Sequence, residues 1–307
     1  MTPPSETEKV ISRRKLLRVL ATTGGIAAAA TLLPVKWIRP VTRVEALPPH
    51  AQVSAVPTVS PTPTSTPLPM TCPGTGMVAN YQFSGAATDM SGHGHDGTVH
   101  GAILVSDRYG HLNSAYSFNG SDSYISVLPA ADLNDFGQAL SIVAWIKITP
   151  GANYNVYDYR HILSKGATYG DLWADYAIGL SNPEGALLWE YTNVTNNVIR
   201  EHTGIPIPQD EWHFVAVTFN AGVVDFYLDG VSQHTYNGPY TSLRSSTQPL
   251  YIGARYIVPL VGIFPGSIDD VRLYSCALSA QEIYTMYQQE AVTTLTSKTA
   301  LALTGSG

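Results

Sequence analysis

From residue 77 onward the chain is dominated by short runs in which apolar and polar residues alternate, the period-two pattern of half-buried β-strands. Ser114-Ala-Tyr-Ser-Phe-Asn-Gly120 ends in a turn and Tyr124-Ile-Ser-Val127 follows it. Between Leu140 and Ile148, Ile142, Ala144, Ile146 and Ile148 fall on one face and Val143 and Trp145 on the other. With both faces apolar, this strand is expected at the centre of a sheet. Residues 212–219 form a second buried run. Residues 223–228 meet Asp229-Gly230 and the pattern resumes over 231–236, a hairpin signature. Residues 250–254 and 268–274 complete the series. Ser279 and Glu282 then stand at capping-box spacing, which marks a helix start. Many short strands and one late helix predict an all-β, antiparallel two-sheet sandwich with a short C-terminal helix. No second linker interrupts the pattern, and roughly 215 residues is acceptable for one such domain.

Parity singles out two carboxylates. Asp269 shares parity with Val271 and Leu273 among core-facing residues, while Asp270 shares it with Arg272. An unpaired carboxylate at the Asp269 position is costly. A bound cation, exposure at the strand end or a set of hydrogen bonds would each resolve that cost. Asp122, in the 119–123 turn, is expected to stabilise that turn.

Composition supports the fold reading and adds a compartment. Charged residues make up 13% of the 307, and 18 Tyr stand against 7 Phe, favouring rings with one wet end. The net charge of −6 hides a split. Residues 1–46 hold eight Lys/Arg and three Glu, a net +5, and the remainder holds nine Lys/Arg and twenty Asp/Glu, a net −11. So acidic a body argues against nucleic acid or an anionic membrane as partner.

The basic N-terminus has a reason of its own. Ser12-Arg13-Arg14-Lys15-Leu16-Leu17-Arg18 resembles a twin-arginine export signal, with a weakly apolar run over 19–35 behind it and Val44-Glu45-Ala46 at the place of cleavage. Residues 1–46 are therefore expected to be a bacterial export signal; retention as an anchor is the alternative, with no other membrane association expected. Residues 47–71 carry Pro48, Pro49, Pro57, Pro61, Pro63, Pro67 and Pro69 among Thr and Ser. They are expected to form an extended linker, spanning roughly 75 Å at about 3.1 Å per residue. The folded domain is expected over 72–290, and a flexible tail over 291–307.

Several motifs in order resemble one family. Asp89-Met-Ser-Gly-His-Gly-His-Asp-Gly97, Phe118-Asn-Gly-Ser-Asp-Ser-Tyr-Ile125, Ser141-Ile-Val-Ala-Trp-Ile-Lys147, Ile162-Leu-Ser-Lys-Gly166, Trp212-His-Phe-Val-Ala-Val217, Tyr227-Leu-Asp-Gly-Val231 and the closing Phe264-to-Ile283 segment are similar to laminin G-like jelly-roll domains of the concanavalin A-like superfamily. The resemblance implies a jelly-roll sandwich. It also implies a structural calcium, with Asp89 and Asp269 as side-chain ligands and loop carbonyls completing the shell. His93 and His95 in the same loop leave a transition-metal reading open. Cys72 and Cys276 flank the first and last strands. These lie close in jelly rolls, so a disulfide is expected, with two free thiols as the alternative.

Function is less determined. Residues 152–176 interleave Tyr154, Tyr157, Tyr159, Tyr169, Trp173 and Tyr176 with Asn and Asp. Tyr154, Tyr157, Tyr159 and Trp173 are candidates for stacking on sugar rings, the alternative being loop packing over the sandwich. The Glu-x-Asp-x-x-Glu strand of superfamily hydrolases is absent, Glu184 and Glu190 lack such partners, and no Gly-x-Ser-x-Gly elbow occurs. The expectation is a secreted or cell-surface, non-catalytic recognition module for a glycan. The alternatives are a protein-interaction or cell-surface structural module and, third, a divergent glycoside hydrolase.

Overall fold

The computed structural model describes residues 72, 76–152, 159–166, 174–181, 183–257 and 260–291. The expected signal, the linker and residues 292–307 lie outside the described residues, as do Tyr154, Tyr157 and Trp173. Every described residue belongs to one unit, within Ser65–Gly307.

In chain order the strands are β1 (Met77–Tyr81), β2 (Gly97–His100), β3 (Ile103–Val105), β4 (Ala115–Asn119), β5 (Tyr124–Val127), β6 (Ala139–Ile148), β7 (Arg160–Lys165), β8 (Tyr176–Leu180) and β9 (Ala186–Thr192). They continue as β10 (Val198–Pro206), β11 (Trp212–Asn220), β12 (Val223–Leu228), β13 (Val231–Asn237), β14 (Leu250–Ile252), β15 (Tyr256–Ile257), β16 (Leu260–Val261) and β17 (Pro265–Tyr274). A one-turn helix, α1, spans Ala131–Asn134, and a second, α2, spans residues 280–291. One antiparallel sheet has eight strands in the order β13-β12-β11-β6-β17-β4-β3, with β1 pairing onto β17; the other has seven, β10-β9-β8-β7-β14-β5-β2. This is the two-sheet sandwich expected from the pattern.

The inner faces meet in one core. Ile142, Ala144, Ile146 and Ile148 of β6 face Ile178, Trp189 and Ile252 from the other sheet in a single cluster. The opposite face of β6 is equally apolar, and the structure shows why. Val143 and Trp145 pack with Phe214, Tyr227, Leu278 and Ile283, so α2 covers the outer face of the eight-stranded sheet. The helix starts as its sequence predicts. Ser279 N donates to Glu282 Oε2 at 2.7 Å, and Glu282 N donates to Ser279 Oγ at 3.3 Å, a reciprocal capping box. Glu282 Oε1 also accepts from Cys72 N, which ties the cap to the start of the domain.

Cys72 and Cys276 form a disulfide, with a Cα–Cα separation of 5.7 Å. Asp229-Gly230 turns β12 into β13 with positive φ at both residues, 50° and 76°, as a type I′ hairpin requires. A Cβ at Gly230 would stand 2.9 Å from the Tyr287 ring, so this turn also lets α2 lie close.

One expectation is corrected in β17. The pairing of β17 with β6 shifts register between Asp269 and Arg272, and Asp270 has φ 47°. The extra residue makes a β-bulge. Ile268, Val271 and Leu273 all reach the core, and Asp269 does not share their face. Parity counted back from Val271 fails because the bulge lies between.

Candidate functional sites

Asp269 and Asp270, read as pointing to opposite faces, meet the same guanidinium. Arg108 Nη1 lies 2.8 Å from Asp269 Oδ2, and Arg108 Nη2 lies 2.6 Å from Asp270 Oδ2. Arg108 is also stacked between two rings, 4.3 Å from the Tyr109 centroid and 4.5 Å from that of Trp145. Glu290 from α2 joins the cluster, 2.7 Å from Arg272 and 3.5 Å from Arg108. The positive charge beside Asp269 is thus a guanidinium contributed from 161 residues away.

Asp89 has its own partners. Its Oδ1 accepts from Asn80 N and Ser91 N, both at 2.9 Å. Its Oδ2 accepts from Ser91 Oγ at 2.7 Å and His95 N at 3.0 Å. Four donors occupy the roughly four lone-pair sites of a carboxylate. Burial raises its pKa, but the bonds from Ser91, His95 and Asn80 outweigh that and hold it below the usual carboxylate range. Asp122 accepts from the Asn119 amide within its turn, as expected of a turn residue.

The loop around Asp89 presents a further group that the sequence did not reveal. His93 Nδ1 lies 2.8 Å and His95 Nε2 3.0 Å from the same oxygen, Asp132 Oδ2, on α1. Sequence showed the two His, but Asp132 lies 37 residues beyond His95 with no local pattern to link them.

The outer face of the seven-stranded sheet is polar where the core alternation requires it. Leu187, Trp189 and Tyr191 of β9 face inward, so Glu190 faces out, yet it is fully buried. Its Oε2 pairs with Arg200 Nε, and its Oε1 pairs with Arg255 Nη2 at 2.7 Å and accepts from Ala174 N at 3.0 Å. The Tyr159 ring lies 5.3 Å from the Arg200 guanidinium. His161, on the same face, is held neutral: burial drives its pKa well down, and the charge of Arg255 adds to that. Of the aromatic segment, Tyr176 belongs to the core, its hydroxyl donating to Leu133 O at 3.0 Å. Asp175 is buried against Arg244 Nε at 2.7 Å, beside Lys165, whose pKa burial pushes down to about 8. Asp175 is therefore part of an ion cluster rather than a free hydrogen-bonding group.

Two antiparallel sheets, one sealed by a helix and the other with a polar outer face, place the domain among jelly-roll β-sandwiches. The chain belongs to the concanavalin A-like lectin/glucanases superfamily, whose laminin G model matches residues 119–284. Among solved structures it is similar to the binding domain of Paraclostridial Mosquitocidal Protein 1, at 17% identity and TM-score 0.55, covering 71% of this chain and 53% of that one. It is also similar to domain 4 of AbnA, a GH43 extracellular arabinanase from Geobacillus stearothermophilus in complex with arabinotriose, at 18% identity and TM-score 0.52, covering 69% and 98%. A third is the receptor binding domain of botulinum neurotoxin D, at 17% identity and TM-score 0.53, covering 71% and 53%. At these identities the likeness is one of fold. Adhesion G-protein coupled receptor V1 of Danio rerio is 25% identical over 162 residues, which is 50% of this chain and 2% of the receptor. The chain thus spans a small fraction of that relative. No helix among the described residues is long and apolar enough to cross a membrane.

Proposed function

We propose that this chain is an exported, non-catalytic recognition module that binds carbohydrate on the outer face of its seven-stranded sheet. The observation that carries the reading is that Tyr159 and Ala174, two described residues of the aromatic segment, both border the Glu190 cluster. Tyr159 lies against Arg200, which pairs with Glu190, while Ala174 donates to Glu190 directly and accepts from Thr192 Oγ1 at 2.7 Å. Tyr159, just before β7, and Ala174, just before β8, thus border one polar cluster on this face. Ring faces next to guanidinium and carboxylate groups suit sugars, which offer C–H faces and hydroxyls together.

Glu190 is a poor catalyst in this setting, since both oxygens are engaged by cations and a backbone N–H. A glycosidase requires a second carboxyl group and a free acid or nucleophile. Export is supported by the paired Arg13 and Arg14 and by the disulfide, which persists in oxidising compartments. The names of two neighbours fit as well: one was captured with arabinotriose, and another is a receptor binding domain.

A glycan array probed with the full chain tests the reading. Saturable binding to a defined glycan class is expected, weakened by Tyr159→Ala with an unchanged melting midpoint. Failure to bind any glycan at millimolar concentration would overturn it in favour of a protein-interaction module. Binding that survives Tyr159→Ala unchanged would remove the site from this face.

A further inference from the structure

We infer that His93, His95 and Asp132 form a binding site for a divalent transition metal of the zinc class, with one coordination position open to solvent. The three side chains offer Nδ1, Nε2 and Oδ2, and these atoms all lie within 4.8 Å of one another. They come from two separate elements, the 89–97 loop and α1, so the juxtaposition is a product of the fold.

The donor set selects the metal. Two imidazoles and one carboxylate suit zinc, copper or nickel, whereas calcium and magnesium prefer all-oxygen shells. Zinc binds such ligands at about 2.0–2.2 Å, so tetrahedral donors stand roughly 3.4 Å apart. The present separations of 2.8 and 3.0 Å to Asp132 Oδ2 are hydrogen-bond lengths that must open by about half an ångström, while the two nitrogens, within 4.8 Å of each other, must close toward about 3.4 Å. His93 and Asp132 have that freedom, with side chains 41% and 38% exposed. His95, at 7%, is the fixed member.

The chemistry of exchange is simple. One carboxylate oxygen accepts from two rings, so both rings carry N–H at those atoms when neutral. A metal dication would take the place of those two protons, binding each nitrogen and the shared oxygen, while each ring stays neutral by carrying its proton on its other nitrogen.

The loop is built to hold the rings in place. His95 N donates to Asp89 Oδ2, and His95 O accepts from the Tyr81 hydroxyl at 2.7 Å. Asp89 N donates to Asp96 Oδ1 at 2.8 Å, closing the loop on itself. Gly94 between the two His has φ 80°, a conformation that L side chains rarely adopt. It brings both rings to one side, with centroids 5.8 Å apart and planes at 25°. The buried Asp89 network is thus the scaffold that aims His95 at Asp132. Its own oxygens are filled by N–H and O–H donors.

The test is titration of the purified, metal-free full chain with Zn2+ alone, followed by calorimetry, and with Co2+, followed by its visible spectrum. One ion per chain is expected, with a tetrahedral-type cobalt spectrum and a higher melting midpoint when zinc is present. His93→Ala and Asp132→Asn alter exposed side chains and should keep the fold. Each should lose more than the roughly tenfold that even an outer-shell partner contributes. Tight uptake by both variants would assign the metal to other groups, such as His213 beside Glu211 and Asp229, and would overturn the inference. No uptake by the parent chain would mean that the His–Asp contacts only pin the loop, and would overturn it equally.

Discussion

Arg108 meets Asp269 at 2.8 Å with both side chains only 3% exposed, joining two residues 161 positions apart. Such a pair carries a large desolvation cost, which its own attraction and further hydrogen bonds must offset. The rings of Tyr109 and Trp145 on Arg108, and Asp270 N donating to Asp269 Oδ1 at 2.8 Å, supply those additional contacts. Removing one partner leaves an unanswered buried charge. Arg108→Met is expected to destabilise the fold by about 3–5 kcal/mol, measured by denaturant unfolding. Arg108→Met combined with Asp269→Asn should recover part of that loss. A double variant less stable than the single one would show that Asp269 is held by something other than Arg108.

The same pair bears on calcium. Arg108 stands where a cation was expected to offset Asp269, and the four donors on Asp89 fill its oxygens. Calcium added to the metal-free full chain is therefore expected to leave the melting midpoint where it was. A rise that Asp269→Asn abolishes would instead place calcium in this cluster, with Arg108 displaced.

How far the sequence revealed this architecture depends on the kind of signal. β6 and β11 were legible as short apolar runs, and the β12–β13 hairpin through its Asp229-Gly230 turn, because these signals are local. The capping box at Ser279 and Glu282 was legible for the same reason. β9 was not: it is buried throughout, Ala186 to Thr192, yet carries Glu190 and Thr192, whose partners Arg255 and Ala174 lie outside the run. Asp269 was misplaced because a bulge at Asp270 reverses parity, and nothing in Ile268-Asp-Asp-Val271 announces an inserted residue. Arg108, Asp132 and Arg255 gave no local signal, because their partners lie 161, 37 and 65 residues away; Arg200 meets Glu190 across the β9–β10 hairpin, whose pairing the pattern had not indicated. The fold was therefore far more readable than its polar clusters.

The disulfide offers a direct stability test. Cys72 and Cys276 are separated by 204 residues, and the chain-entropy model assigns a loop of that size roughly 5 kcal/mol as an upper value. Reduction should lower the unfolding midpoint. Cys72→Ser with Cys276→Ser should do so to a similar extent and make the protein insensitive to reductant. Two reactive thiols in unfolded but unreduced exported protein would contradict the crosslink.

Asp89 sets a pH dependence with a definite sign. Its hydrogen bonds hold the folded pKa below the ordinary value of 3.8. A depressed acid contributes stability that is present above the unfolded pKa and lost as pH falls through the folded one. Asp89→Asn can accept at one atom but cannot receive all four donors, so it should be less stable than the parent at neutral pH. The informative quantity is the difference between parent and variant in denaturant midpoint, because it cancels the other carboxylates. That difference should be flat above about pH 5 and shrink below about pH 4, where the parent's carboxyl group also becomes neutral. A difference that widens on acidification would mean that Asp89 is already protonated in the fold, and the loop that aims His95 would then be held in some other way.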